Sequence, residues 1–242
     1  MCGILGGDGK VSGGKYRGIA PECDFIVGKV LDQNGDGDLE VLCNAIQWIL
    51  EEKVRYHIRI LNISIGMDKD VTEEKDIRIS KLLKKTWEKG ILVVVSAGNS
   101  GPEPMSLSTL GEVAQIITVG CHDKDYMAKS GRKCSDYSSR GPGMEAIKKP
   151  DIVAPGTEIV SCNNRYKYFH GKNLNAYCRK SGTSMATPIV SGAAALVMQK
   201  WPALTNEEVK RYLLQSTDDL GLPWYEQGNG FLNIKKTLEM RC

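Results

Sequence analysis

Gly182-Thr183-Ser184-Met185-Ala186-Thr187-Pro188 runs directly into Ile189-Val190-Ser191-Gly192-Ala193-Ala194-Ala195-Leu196-Val197. The second run is apolar on every side, which predicts a buried helix rather than an amphipathic surface one. The glycine turn ahead of it puts Ser184 in the first helical turn. There, free backbone N–H groups and the positive end of the helix dipole favour a developing anion. Pro188 is expected within that first turn, where no intrahelical donor is required. A nucleophilic serine fits this layout, and so does an ordinary N-cap, since Ser and Thr are common caps. On the local motif alone the two readings stand level.

Three further stretches precede it: Val93-Val94-Val95-Ser96-Ala97-Gly98-Asn99-Ser100-Gly101, Tyr137-Ser138-Ser139-Arg140-Gly141-Pro142, and Lys149-Pro150-Asp151-Ile152-Val153-Ala154-Pro155-Gly156. In this order the set resembles the subtilisin family of serine peptidases (peptidase S8), from Met1 to about Leu238. The resemblance implies that Ser184 is the nucleophile and Asn99 the side-chain donor of an oxyanion hole. It implies a peptide or protein substrate bound as an added strand. One rim of the cleft would be Ser64, Ile65 and Gly66, the other Gly35, Asp36 and Gly37. Ser96, Ala97 and Gly98 would line the main specificity pocket, with Thr183 also among the binding residues. Asp36, an acid without an obvious partner, suggests a mild preference for basic side chains near the scissile bond.

Independently of that likeness, Asn99 stands in a glycine-flanked loop just after an apolar strand. Ligand sites of α/β folds collect at such carboxyl ends. A turn residue tolerant of unusual backbone angles is the plainer alternative.

The chain has 242 residues, 41% hydrophobic and 25% charged, which predicts one globular domain with a sizeable core. Its net charge of +3, from 32 basic and 29 acidic residues without long blocks, calls for neither nucleic acid nor a membrane surface. No segment has the length and apolarity of a membrane span. The eight cysteines form no CxxC pair and no metal spacing with the three histidines. Cys2 and Cys43 fall in helical apolar patterns and Cys121 ends a strand, so buried free thiols and a reducing, cytoplasmic compartment are favoured over disulfides. Asp32-Gln33-Asn34-Gly35-Asp36-Gly37 begins like a calcium loop, but its twelfth position is Cys43 rather than a bidentate Glu. No metal ligand is assigned. The resemblance alone leaves calcium open, without an identifiable site.

Apolar runs alternate with helical patterns, the signature of a doubly wound, mostly parallel α/β sheet with helices on both faces. Strands are expected at Phe25–Leu31, Ile58–Ile65, Ile91–Val95 and Gln115–Val119. Helices are expected at Leu39–Lys53 and Thr72–Lys89, from a Thr205–Glu208 capping box to Leu214, and near Asn233–Leu238. A turn at Gly228-Asn229-Gly230 precedes the last of these.

Acyl transfer also needs a base. The family places Asp, His and Ser in that order, with the His just before a small-residue helix. Here Met1-Cys2-Gly3-Ile4-Leu5-Gly6-Gly7 looks like that helix begun one residue late. Residues 1–242 are therefore expected to be the C-terminal portion of the peptidase domain, lacking its first strands, Asp and His, with a complementing N-terminal segment as a possible partner. His57, His122 and His170 lack the expected glycine-rich context. Ile189 departs from the family's usual histidine after the proline. An unpaired sheet edge should make the isolated chain poorly soluble or associating. Two function classes follow: a serine endopeptidase acting through Ser184, and an inactive pseudopeptidase or peptide-binding scaffold that keeps the cleft.

Overall fold

A computed structural model describes residues 1–66, 73–124, 126, 128, 131, 133–141 and 148–240. Thr72 and Pro142, named above, lie outside these. The chain opens with a short helix, α1 (Cys2–Gly6), and then an irregular segment to α2 (Leu39–Glu52). Next come β1 (Ile60–Ile63), α3 (Glu73–Glu88), β2 (Leu92–Ser96), β3 (Ile117–Cys121) and β4 (Ile152–Ala154). These strands form one parallel sheet in the order β1-β2-β3-β4, with Ile60 beside Leu92, Val94 beside Ile117 and Val119 beside Ile152. Every residue of β2 and β3 is buried. Successive side chains point to opposite sides of a strand, so both faces of the sheet are covered.

Two antiparallel ribbons follow: β5 (Ile159–Cys162) pairs with β8 (Tyr177–Lys180), and β6 (Lys167–Phe169) pairs with β7 (Lys172–Leu174). The chain ends in α4 (Thr183–Lys200), α5 (Asn206–Gln215), α6 (Trp224–Gln227) and α7 (Ile234–Glu239). In α5, Thr205 and Glu208 form the expected capping box.

The all-round apolarity of α4 has its counterpart in packing, for the helix crosses all four sheet strands and also touches α1, α5 and α7. Thirteen of its residues are buried, from Thr183 to Met198. Gly192 lets α1 and the chain after it come close: a Cβ there would lie 2.6 Å from Ile19 Cβ and 3.2 Å from the Leu5 carbonyl. No other residue fits that gap.

Three expectations are corrected. Phe25–Leu31 is not a strand, apart from an isolated bridge between Leu31 and Gly37, and Phe25, Ile26 and Val27 are exposed. Apolar patterning makes a strand only where backbone groups find a partner, and none of the described strands pairs with this run. Pro188 sits in the second turn of α4, so the Ser184 carbonyl loses the N–H it would receive four residues on. Cys2 is exposed, as is Cys162, because α1 is a single turn and leaves its first residue in solvent; Cys43 and Cys121 are buried. The seven described cysteines are all free thiols.

Candidate active site

Ser184 is the second residue of α4 and is half-buried. Gly182 precedes the helix at φ 145°, a conformation that favours glycine, and its N–H donates to the Gly156 carbonyl at 2.9 Å. Thr183, fully buried, ties the helix start to the loop leaving β2. Its N–H donates to Asn99 Oδ1 at 2.9 Å, and its hydroxyl lies 3.2 Å from both the Gly98 carbonyl and Asn99 Oδ1. The Gly98 N–H donates back to Thr183 Oγ1 at 3.3 Å.

These bonds orient the amide of Asn99. A backbone N–H can only donate, so the asparagine oxygen must face Thr183 and its Nδ2 points elsewhere. Asn99 is exposed, and neither its Nδ2 nor the Ser184 N–H has an acceptor among the described residues. Both are therefore donors available at the N-terminal end of α4.

The walls around them are tightly braced. Ser96, Ala97 and Gly98 are buried, and Ser96 Oγ donates to the Ile65 carbonyl at 3.3 Å, joining the predicted pocket to the predicted rim. Ser139 accepts the Ser100 N–H at 3.1 Å and donates its own N–H to Gly98 at 3.0 Å, pinning the Asn99 loop from behind. Asn62, which the sequence reading passed over, accepts from Ser191 Oγ of α4 and donates to Ser64 Oγ, both at 2.8 Å. An asparagine inside an otherwise apolar strand was the available signal. Gly35, Asp36 and Gly37 stand apart from this core. They form an exposed turn in which Asp32 accepts the N–H groups of Asn34, Gly35 and Asp36, and no described hydrogen bond joins them to α4.

Ser184 Oγ has no hydrogen-bond partner among the described residues, and each histidine is engaged or placed elsewhere. His57 is exposed beyond α2, His122 Nδ1 accepts the Lys124 N–H at 3.0 Å, and the His170 ring lies against Phe169 at the tip of the second ribbon.

Two further acids, half-buried Asp123 and buried Asp151, gather donors around them. Asp123 accepts the N–H groups of Gly156 and Thr157 at 3.1 and 3.0 Å, as well as the Thr157 hydroxyl. Burial raises its pKa, but hydrogen bonds from Thr157, Cys134 and Gly156 outweigh this and hold it below the usual carboxylate range. Asp151 lies between two lysines, 2.5 Å from Lys149 Nζ and 2.9 Å from Lys210 Nζ, and also accepts the Thr118 N–H at 2.7 Å. Burial pulls Lys149 down to about 8, against the pull of Asp151 in the other direction. Cys121 is pushed well up by burial, so its thiol stays protonated. Among the described residues no group of three or more His, Cys, Asp or Glu is placed to hold a metal ion, and no helix is long and apolar enough to cross a membrane.

The family model of peptidase S8, the subtilase family, matches residues 1–231. The chain belongs to the subtilase family. This subtilase is 37% identical over 227 residues to serine protease AprX of Bacillus subtilis (strain 168), which covers 90% of the chain and 51% of AprX. It is 30% identical over 221 residues to subtilisin DY of Bacillus licheniformis, covering 90% of the chain and 69% of that protein. The chain therefore spans about half the length of AprX. Among solved structures, sphericase superposes with a TM-score of 0.77 at 27% identity, covering 96% of this chain and 75% of that one. A subtilisin-like α/β fold and membership of the subtilisin-like serine proteases are thereby established.

Proposed function

We propose that this chain carries the nucleophile and oxyanion hole of a subtilisin-like serine endopeptidase. Ser184 Oγ attacks the scissile carbonyl to form an acyl-enzyme, which water then hydrolyses. The Ser184 N–H and Asn99 Nδ2 receive the negative charge that builds on the carbonyl oxygen. A base must accept the serine proton, as a histidine oriented by an aspartate does in this family. Substrate lies extended against Ser64–Gly66, with Gly35–Gly37 on the other rim and its main side chain directed to Ser96–Gly98. Asp36 favours basic side chains near the scissile bond.

The observation carrying this reading is the 2.9 Å bond from Thr183 N–H to Asn99 Oδ1, which leaves Nδ2 free to donate at the start of the helix that carries Ser184. A fluorophosphonate probe, which needs an activated serine, tests it. The protein purified from its native cells should be labelled, and its Ser184→Ala variant should not. Equal labelling with and without Ser184 would sink the assignment.

A second reading, a non-catalytic peptide-binding scaffold, is favoured by one observation: Ser184 Oγ has no basic partner among the described residues. It expects no labelling of the native protein and undiminished peptide binding.

A further inference from the structure

Between Glu158 and Glu207 the sequence contains no acidic residue. Within that span Arg165, Lys167, Lys172, Arg179 and Lys180 lie on the two ribbons formed by β5–β8 and β6–β7 or on the chain joining them. Arg179 is paired with Glu158 at 2.9 Å, and no ion pair is formed by the other four among the described residues. The second ribbon is a well-formed hairpin. His170 and Gly171 both have positive φ, at 48° and 73°, as a two-residue type I′ turn requires.

Pairing sets what each face of the hairpin presents. Lys167 stands opposite Leu174 and Phe169 opposite Lys172, so these four share one face, while Tyr168 and Asn173 share the other. The face therefore carries two cations set diagonally around an aromatic and an aliphatic side chain. Phe169 is 63% exposed and Leu174 44%, so the apolar pair is uncovered in solvent. No described strand pairs with either outer edge of this two-stranded sheet, and an isolated two-stranded ribbon is marginal in water until something packs on it.

The hairpin is joined to the candidate active site through the β5–β8 ribbon. β8 ends at Lys180, and Gly182 and Ser184 follow directly. At roughly 3.4 Å per residue, Lys180 lies no more than about 14 Å from Ser184 and Lys172 no more than about 40 Å.

We propose that the Lys167–Leu174 hairpin is an exosite that docks an acidic segment, interspersed with apolar side chains, of the protein substrate. The proposal rests on the peptidase reading for the word substrate, but the docking itself does not need Ser184. Carboxylates of the segment meet Lys167 and Lys172, its apolar side chains cover Phe169 and Leu174, and its backbone can pair with an open edge.

The test is fluorescence anisotropy of the protein purified from its native cells with two fluorescein-labelled twelve-residue peptides, one alternating Glu and Leu, the other Gln and Leu. At low salt the Glu peptide should bind about tenfold more tightly, and exposed pairs of this kind should lose most of that advantage in 0.5 M NaCl. The exposed double substitution Lys167→Glu/Lys172→Glu should abolish the preference with an unchanged circular dichroism spectrum, and Ser184→Ala should leave it intact. Equal binding of the two peptides, or a preference that survives the double substitution, overturns the proposal. So does tighter binding through these lysines of a single-stranded DNA oligonucleotide or of phosphatidylserine vesicles. Fluorophosphonate labelling judges the peptidase reading separately: a labelled protein without peptide preference refutes the exosite alone, and an unlabelled one with the preference refutes only the peptidase.

Discussion

The N–H of Thr183 donates to Oδ1 of Asn99 across 2.9 Å, so one bond fixes both the start of α4 and the direction of the asparagine amide. Asn99→Asp separates these two tasks. The carboxylate still accepts from Thr183, but the donor Nδ2 is gone. In the active protease this substitution should lower kcat by about 10²–10³, the range established for such a donor in subtilisin, with KM little changed. Steady-state kinetics on a chromogenic peptide checks it, and a loss confined to KM would remove Asn99 from the oxyanion hole.

Asp151 holds Lys149, of which 1% of the side chain is exposed, and Lys210, of which 15% is exposed. Asp151→Asn leaves both ammonium groups without a counter-charge in the interior. A loss of about 3–5 kcal/mol of stability is expected, because breaking one side of a buried pair strands the other. Urea unfolding at pH 7 measures it. A change below about 1 kcal/mol would mean that water reaches the lysines.

Gly192 marks where α4 meets the chain after α1. Gly192→Ala brings a Cβ to 2.6 Å from Ile19 Cβ, so overpacking should cost about 1–3 kcal/mol despite the better helix propensity of alanine. Adding Ile19→Ala makes room, and the two changes together should cost less than their sum. Strict additivity in thermal melts would refute direct contact.

How far the fold and site could be read ahead depended on how local the determinants are. Gly182, Thr183 and Ser184 act through a turn and a helix start, and Gly98 and Asn99 through one loop, so neighbouring residues alone placed them. β2, β3 and α4 were legible because burial on all sides leaves a continuous apolar run. Phe25–Leu31 has the same pattern, yet a strand also needs a neighbour, and pairing is not written in the run itself. Lys149 and Lys210 are ordinary surface lysines by composition. Only the fold, closing over a separation of 61 positions, brings both onto Asp151. The bracing of Ser64 by Asn62 and Ser191 was hidden likewise, since its partners lie on different elements.

Asp123 links acid stability to the site. It holds the N–H groups of Gly156 and Thr157, and the Gly156 carbonyl in turn holds the N–H of Gly182, two residues before Ser184. Its hydrogen bonds keep the folded carboxyl below its unfolded value, so the stability it contributes is fully present above that unfolded value, about pH 4, and is lost as the pH falls through the lower folded one. Asp123→Asn removes the charge and turns an amide toward N–H donors. The variant should lose about 1–3 kcal/mol at pH 7, and the gap between it and the parent should narrow below about pH 4. Because Gly156, whose carbonyl holds Gly182, loses its support, fluorophosphonate labelling of Ser184 in the native protein should slow even where the variant remains folded. Parallel stability curves from pH 7 to pH 2, with unchanged labelling, would show that Asp123 supports neither the fold nor the helix start.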